Sequence, residues 1–338
     1  MKIIKDIRKN TFILIFITII VMYFVLKDDF KNIVDLLIKV DIKYILIAFI
    51  LFFLSIFFRA YISYITVNES SKYSLSEAIK HNVIIQFFNG ITPFSTGGQP
   101  MEIYMLTKHG ISANKGTMIV LQNFIFYQVA LVIFGLFAVT YNNIFHIFPK
   151  VVLLKKLVLI GFIINTLVAV VIFMISISKK FTTTCMKWLV GFLNRIKIVK
   201  NKEKLEESLS NRLEEFHDSA KELRERKGLF YIGVIFNIIS LACLYATPLF
   251  IVYSMHDFNS LNLLECLTSS AYVLLIGAFV PIPGASGGIE YGFLTFFGNF
   301  LTSSKSSAAM LIWRFITYYF GMIIGSIALN FDKGSENE

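Results

Sequence analysis

Long apolar runs separated by short polar stretches dominate the chain. Six of them, about 11–26, 44–67, 116–141, 157–177, 229–255 and 306–331, have the roughly 17–25 residues that a helix needs to cross a bilayer. The pattern predicts six full spans. Two further apolar segments, 79–106 and 263–303, are each split by a Gly/Pro-rich break that leaves both halves short of a crossing. They predict two re-entrant pairs of half-helices. Backbone freed at such a break is tolerated at membrane depth only where protein or a water-filled cavity surrounds it. The expected fold is an all-α integral membrane protein.

The two breaks resemble each other. The first reads TPFSTGGQPME from Thr92 to Glu102, and the second PIPGASGGIE from Pro281 to Glu290. At an offset of 190 positions, Pro93, Thr96, Gly97 and Gly98 align with Pro283, Ser286, Gly287 and Gly288, and Lys115 aligns with Lys305. Glu77 falls close to Glu265 in the same comparison. Broken hydrophobic segments in matching positions of two halves are a sequence pointer to a transport site.

Charge placement orients the chain. Of 32 Lys and Arg, 13 lie between residues 178 and 228, which puts that loop and both termini on the cytoplasmic side of a cell membrane. The first break then enters from the cytoplasm and the second from outside, so 44–141 and 229–331 form an inverted-topology repeat, with breaks at 92–102 and 281–290. Residues 1–43 hold the first span and an interfacial helix over 27–43. Residues 142–228 hold a connecting span and a cytoplasmic amphipathic linker over 195–228. Residues 332–338 form a tail. The Lys-rich N-terminus lacks a small-residue cleavage site before Lys27, so the first span is read as retained.

Composition narrows the class. The chain is 56% hydrophobic and 16% charged, with a mean hydropathy of +0.69. A soluble protein of this length would have almost no polar surface left. The net charge of +10 flanks apolar runs, which suits an anionic membrane surface rather than nucleic acid. Three scattered cysteines without a CxxC pair, and the absence of HExxH, predict neither a disulfide framework nor a metal site, and no cofactor is expected.

The candidate chemistry sits at the breaks. A half-helix ending inside the membrane has a positive N-terminal end and unpaired N–H groups. Gly97, Gly98, Gly287 and Gly288 would let backbone approach a ligand without a Cβ in the way. Ser95, Thr96 and Ser286 add hydroxyls, with Gln99, Pro283 and Gly284 beside them. Arg59 and Arg314 lie within spans, where a cation normally faces a cavity and a partner. Glu102 and Glu290, which follow the breaks, are the expected partners. Together these fourteen positions form a candidate headgroup cavity for an anionic group such as a lipid phosphate. The competing readings are packing hinges without a ligand, snorkelling for Arg59, a structural ion pair for Arg314 and a rim position for Glu102. Glu77 and Glu265 are explained by favourable placement at helix N-termini. Gln86, Asn89, Gln122, Asn123, Gln128, Asn165 and Asn237 fit interhelical hydrogen bonding in apolar surroundings, and Gln122 and Asn123, on the span after the first break, could instead line its cavity.

The stretch from Asn89 to Leu106, together with Pro281 to Glu290, resembles the two motifs of the lysylphosphatidylglycerol synthase transmembrane region. That is the flippase-like domain of the multiple peptide resistance factor, also found as stand-alone membrane proteins. The resemblance covers nearly the whole chain. It implies a polytopic bundle with re-entrant helices that moves phospholipid between leaflets, notably aminoacylated phosphatidylglycerol, in resistance to cationic antimicrobial peptides. It carries over to Gly97, Gly98, Gln99 and Pro100, and to Pro283, Gly284, Gly287, Gly288 and Glu290. Many members place a basic or amide residue where Glu102 stands. Longer members add a soluble synthase that uses aminoacyl-tRNA. With its end at Glu338, this chain is expected to lack that domain, so a lysyltransferase label would be inherited from longer relatives. The alternative is a membrane component of lysylphosphatidylglycerol synthesis, or a partner of a separate transferase docked through 195–228. Expected partners are membrane phospholipid, with a separate lipid-modifying enzyme and a second copy of the chain as further candidates, and no nucleic acid.

Overall fold

The computed structural model describes residues 29–67, 73–149, 151–195, 209–210, 225–277 and 280–331. The expected first span at 11–26, nearly all of the 195–228 linker and the 332–338 tail lie outside the described residues. Among the described residues every regular element is helical.

A short helix, α1 (Phe30–Ile38), falls inside the expected interfacial segment and buries Ile33 against the bundle. Its flanking Asp29 accepts a hydrogen bond from Ser304. Membrane-length apolar helices follow: α2 (Ile42–Val67), α5 (Ala113–Phe145), α6 (Val152–Ile177) and α8 (Lys227–Ser254). The fifth is composite. It joins α11 (Ser303–Arg314) to α12 (Phe320–Phe331) through a π-helical turn at Phe315–Tyr319. The half-helices are α3 (Leu75–Ile91) with α4 (Gly98–Lys108), and α9 (Leu263–Gly277) with α10 (Gly288–Phe297). One more helix, α7 (Lys179–Arg195), follows α6 directly. Its charged side chains are all cationic and Trp188 stands 71% exposed, the make-up of an interfacial helix. The sequence reading starts the polar linker at 195; the amphipathic pattern already begins at Lys179.

The helix starts explain the aligned residues outside the breaks. Ser74 and Glu77 form a capping box, with Ser74 N–H donating to Glu77 Oε2 at 2.6 Å. Asn262 and Glu265 make the same reciprocal pair at 2.9 Å each way. Ser112 caps the Lys115 N–H and Thr302 caps the Lys305 N–H. Each cap occupies a donor that a helix N-terminus leaves unpaired, and the helix-end placement read for Glu77 and Glu265 accounts for both.

The breaks share one backbone path through their first turn and diverge after it, at Thr96–Gly97 and Ser286–Gly287. Thr92 (φ −111°, ψ 144°) matches Ile282 (φ −110°, ψ 145°), and both lead into a single 3₁₀ turn that begins at proline. Phe94 and Gly284 are both left-handed, at φ 54° and 62°, as are Ser95 and Ala285, at φ 53° and 50°. The two turns pack against each other.

Hydrogen bonds fix the relative direction of the halves. Asp41 N–H donates to Ser254 O at 2.8 Å, Ser240 Oγ to Ser55 O at 2.8 Å, and Arg226 Nη2 to Ile65 O at 3.2 Å. The start, middle and end of α2 therefore meet the end, middle and start of α8, so these counterparts run antiparallel. The halves also exchange contacts. Helix α3 lies antiparallel to α12, with Gln86 Nε2 donating to Thr317 O at 3.2 Å.

Candidate functional site

A cavity of about 640 Å³ opens between the two hairpins, walled by both halves. Of the fourteen expected site residues, Arg59, Ser95, Thr96, Gln99, Glu102, Gly284 and Arg314 line it. Gly97, Gly98, Pro283, Ser286, Gly287, Gly288 and Glu290 build the turns behind the wall or hold the residues that face the space.

At the second break the site is organised by Arg314, which is buried together with Glu290. Arg314 Nε and Nη2 donate to Glu290 Oε1 at 2.7 and 2.5 Å. Nη2 also donates to Gly284 O at 3.0 Å and lies 3.5 Å from Ser286 Oγ. The other carboxylate oxygen, Glu290 Oε2, accepts the Gly287 N–H at 2.6 Å. One carboxylate thus caps α10 and pairs the cation, and neither is left unpaired in a low-dielectric setting. The guanidinium lies 4.4 Å above the Tyr318 ring. Its Nη1 has no hydrogen-bond partner among the described residues and is left for the cavity. The sequence permits this because Gly287, at φ 88°, takes a backbone conformation that L side chains rarely adopt.

At the first break two N–H groups at the start of α4 are already taken. Gly97 N–H donates to Thr92 Oγ1 and Gly98 N–H to Asn89 Oδ1, both at 2.9 Å. A Cβ on Gly97 would strike Thr92, one on Gly98 would strike Asn89 and Ile85, and one on Gly288 would strike Val280. These glycines close the hairpins on themselves. The open N–H groups expected at the breaks are, for Gly97, Gly98 and Gly287, occupied by the chain's own side chains.

Arg59 and Glu102 both line the cavity but do not pair: the ion pairs among the described residues are His109–Glu77, Lys305–Asp257 and Arg314–Glu290. Among those residues, the only hydrogen bond of the Arg59 side chain is a long one, from Nε to Ser55 O at 3.5 Å. Glu102 Oε1 accepts from Ser63 Oγ at 3.4 Å. Asn123 Nδ2 donates to Ser63 Oγ at 3.3 Å, and Thr66 Oγ1 donates to Asn123 Oδ1 at 3.1 Å. Glu102 therefore faces neutral donors, and the cavity holds one cation and one carboxylate without counterions among the described residues.

Several lining residues were read as interhelical glue or missed. Asn123, Gln128 and Asn165 hydrogen-bond between helices as expected, Gln128 Nε2 to Asn165 Oδ1 at 2.6 Å, whereas Asn237 Nδ2 donates to Gly233 O of its own helix; all four also line the cavity. Gln122 does not line it, and its Oε1 is buried without a partner. Ser63, Tyr127 and Tyr318 were not singled out. A signal existed for the first. Ser55, Arg59, Ser63 and Thr66 recur at helical spacing along one face of α2, a polar stripe on an otherwise apolar span.

Comparison with known proteins agrees with this architecture. Residues 12–325 match the family described as the lysylphosphatidylglycerol synthase TM region. A UPF0104 membrane protein of Archaeoglobus fulgidus is 23% identical over 265 residues, 76% of each chain. A protein of the same name from Methanothermobacter thermautotrophicus is 23% identical over 269 residues, 74% of this chain and 73% of the relative. A Mycoplasma pneumoniae protein named as an uncharacterized MG306 homolog is 21% identical over 265 residues, 72% of this chain and 66% of the relative. With the family match running through nearly all of its length, the chain belongs to the lysylphosphatidylglycerol synthase transmembrane-region family and is a multi-pass membrane protein.

Proposed function

We propose that this protein moves a phospholipid headgroup between the leaflets of the cell membrane, passing it through the cavity between the hairpins while the acyl chains stay in the bilayer. The observation that carries this reading is the set of guanidinium donors left free at the cavity. Arg314 keeps its Nη1 donors and Arg59 both of its Nη groups without partners among the described residues. A guanidinium fork of this kind suits a phosphate. Glu102, facing only neutral donors, offers a site for a cationic substituent such as an aminoacyl group. The family membership supports an aminoacylated phosphatidylglycerol as cargo. Its export would lower the negative charge of the outer surface and weaken attraction for cationic antimicrobial peptides. The cation-rich 178–228 stretch supports a topology with both termini in the cytoplasm.

Reconstitution tests this. Purified protein in liposomes should carry labelled lysyl-phosphatidylglycerol across the bilayer without changing it chemically. Translocation that survives Arg314→Ala combined with Glu290→Ala would remove the mechanism. Chemical conversion of the lipid would favour a role in its synthesis.

A further inference from the structure

The π-helical turn at Phe315–Tyr319 starts directly after Arg314. Such turns are rare and are often found at functional sites. This one carries Tyr318, a buried residue that also lines the cavity. Tyr318 reaches both breaks. Its hydroxyl donates to Gly90 O at 2.8 Å, near the end of α3, which ties the second half to the first hairpin. Its ring lies 4.4 Å under the Arg314 guanidinium. The same ring fills the space beside Gly284, where a Cβ would collide with it. A Cβ on Gly90 would meet Met322 and come within 3.5 Å of the Tyr318 ring. On the Gly284 side the backbone is thus cleared for this one side chain, while at Gly90 the missing Cβ makes room for Met322.

The arrangement constrains the guanidinium on every side but one. Glu290, Gly284 O and Ser286 occupy the Nε and Nη2 edge, Tyr318 covers one face, and Nη1 alone is free of partners among the described residues. A tyrosine that only filled the core would need neither the carbonyl of the other hairpin nor the guanidinium on its face.

We infer that Tyr318 is a positioning residue for headgroup binding: its ring holds Arg314 with the free Nη1 edge turned to the cavity, and its hydroxyl fixes the first hairpin against the second. The inference rests on the lipid reading above and adds a residue that neither motif contains. Its two parts separate by chemistry. The ring acts on affinity, because it orients the cation that meets the phosphate. The hydroxyl acts on turnover, because it ties the second half to the first hairpin.

The test measures binding of soluble dihexanoyl phosphatidylglycerol to the purified full-length protein in detergent, followed by tryptophan fluorescence. Trp313 adjoins Arg314, and the chain has only one other tryptophan, Trp188. Tyr318→Leu removes the ring and should weaken binding roughly tenfold. Tyr318→Phe keeps the ring and should restore binding to within about threefold of wild type. In liposomes, Tyr318→Phe should lower the maximal translocation rate about fivefold at an unchanged half-saturating lipid fraction. A purely structural role would reduce the amount of folded protein without this split. If Tyr318→Leu does not fold, Tyr318→Met takes its place. Binding by the ring-less variant equal to wild type would overturn the inference, as would Tyr318→Phe binding as weakly as Tyr318→Leu. Wild-type protein that binds no phosphatidylglycerol would overturn the lipid reading itself, a result distinct from any difference among variants.

Discussion

Phe94 and Gly284 occupy equivalent positions in the two breaks and share a left-handed backbone, at φ 54°, ψ 16° and φ 62°, ψ 15°. Glycine takes this conformation freely, whereas phenylalanine is strained there by about 1–2 kcal/mol. The asymmetry follows from the neighbours. Gly284 sits against the Tyr318 ring, so no side chain fits, while Phe94 is 57% exposed and borders the cavity.

Phe94→Gly should therefore raise the thermal unfolding midpoint in detergent, by an amount equivalent to about 1 kcal/mol, since strain is relieved and little buried surface is lost. Gly284→Ala should lower the midpoint, because the methyl group meets Tyr318. Equal responses to the two substitutions would contradict the environments assigned to them.

Glu290 and Arg314 should behave as a unit. Glu290→Gln leaves the buried cation without a counter-charge, and Arg314→Met leaves a carboxylate with only the Gly287 N–H. Breaking a buried pair from one side costs about 3–5 kcal/mol, whereas removing both charges costs much less. A double-mutant cycle on unfolding midpoints should show the combined variant well above the additive expectation. Strict additivity would show that the pair is not coupled.

The legible part of this chain was whatever depends on local pattern. Apolar length predicts α2, α5, α6, α8 and the α11–α12 crossing, because a bilayer imposes a minimum length on any spanning helix. The Gly/Pro interruptions predict the hairpins, and the pairing of Glu290 with Arg314 followed from two ionisable residues confined to one apolar region. What depends on helix rotation was not legible. Arg59 and Glu102 look like partners along the chain, yet α2 and α4 turn them towards the same cavity without contact. Thr92 and Asn89 were inside the quoted motif, but their capture of the Gly97 and Gly98 amides depends on how sharply the break folds back. Tyr318 gave no signal, because a tyrosine in an apolar run reads as bulk until the π turn places it.

Away from the cavity, Lys305 Nζ meets Asp257 Oδ2 at 2.6 Å and joins the loop after α8 to the start of α11. Burial by itself would raise the Asp257 carboxyl pKa. The hydrogen bond and charge of Lys305, with help from Ser260, outweigh this and hold it below the usual aspartate range. A carboxyl depressed in the folded state adds stability above its unfolded pKa and loses it as pH falls through the folded value. Lys305→Met should therefore lower the unfolding midpoint at pH 7, and the gap to wild type should close as the pH drops below about 4. A gap independent of pH would assign the loss to packing.

Glu102 and Arg59 separate headgroup charge from headgroup identity. Glu102 receives a hydrogen bond from Ser63 and has no cation within ion-pairing distance among the described residues. If the carboxylate meets the cationic substituent of the lipid, removing its charge should affect only lipids that carry one. In liposomes holding both labelled phosphatidylglycerol and labelled lysyl-phosphatidylglycerol, Glu102→Gln should slow the lysyl form about tenfold and spare the other. A hydrogen bond to a charged group contributes about 1.5–3 kcal/mol. Arg59→Gln should slow both, because the phosphate is common to them. In Glu102→Gln the new side-chain carbonyl can still accept from Ser63, so the unfolding midpoint should stay within about a degree of wild type. Equal slowing of both lipids by Glu102→Gln would make Glu102 part of the cavity's framework and leave recognition of the amine to another group.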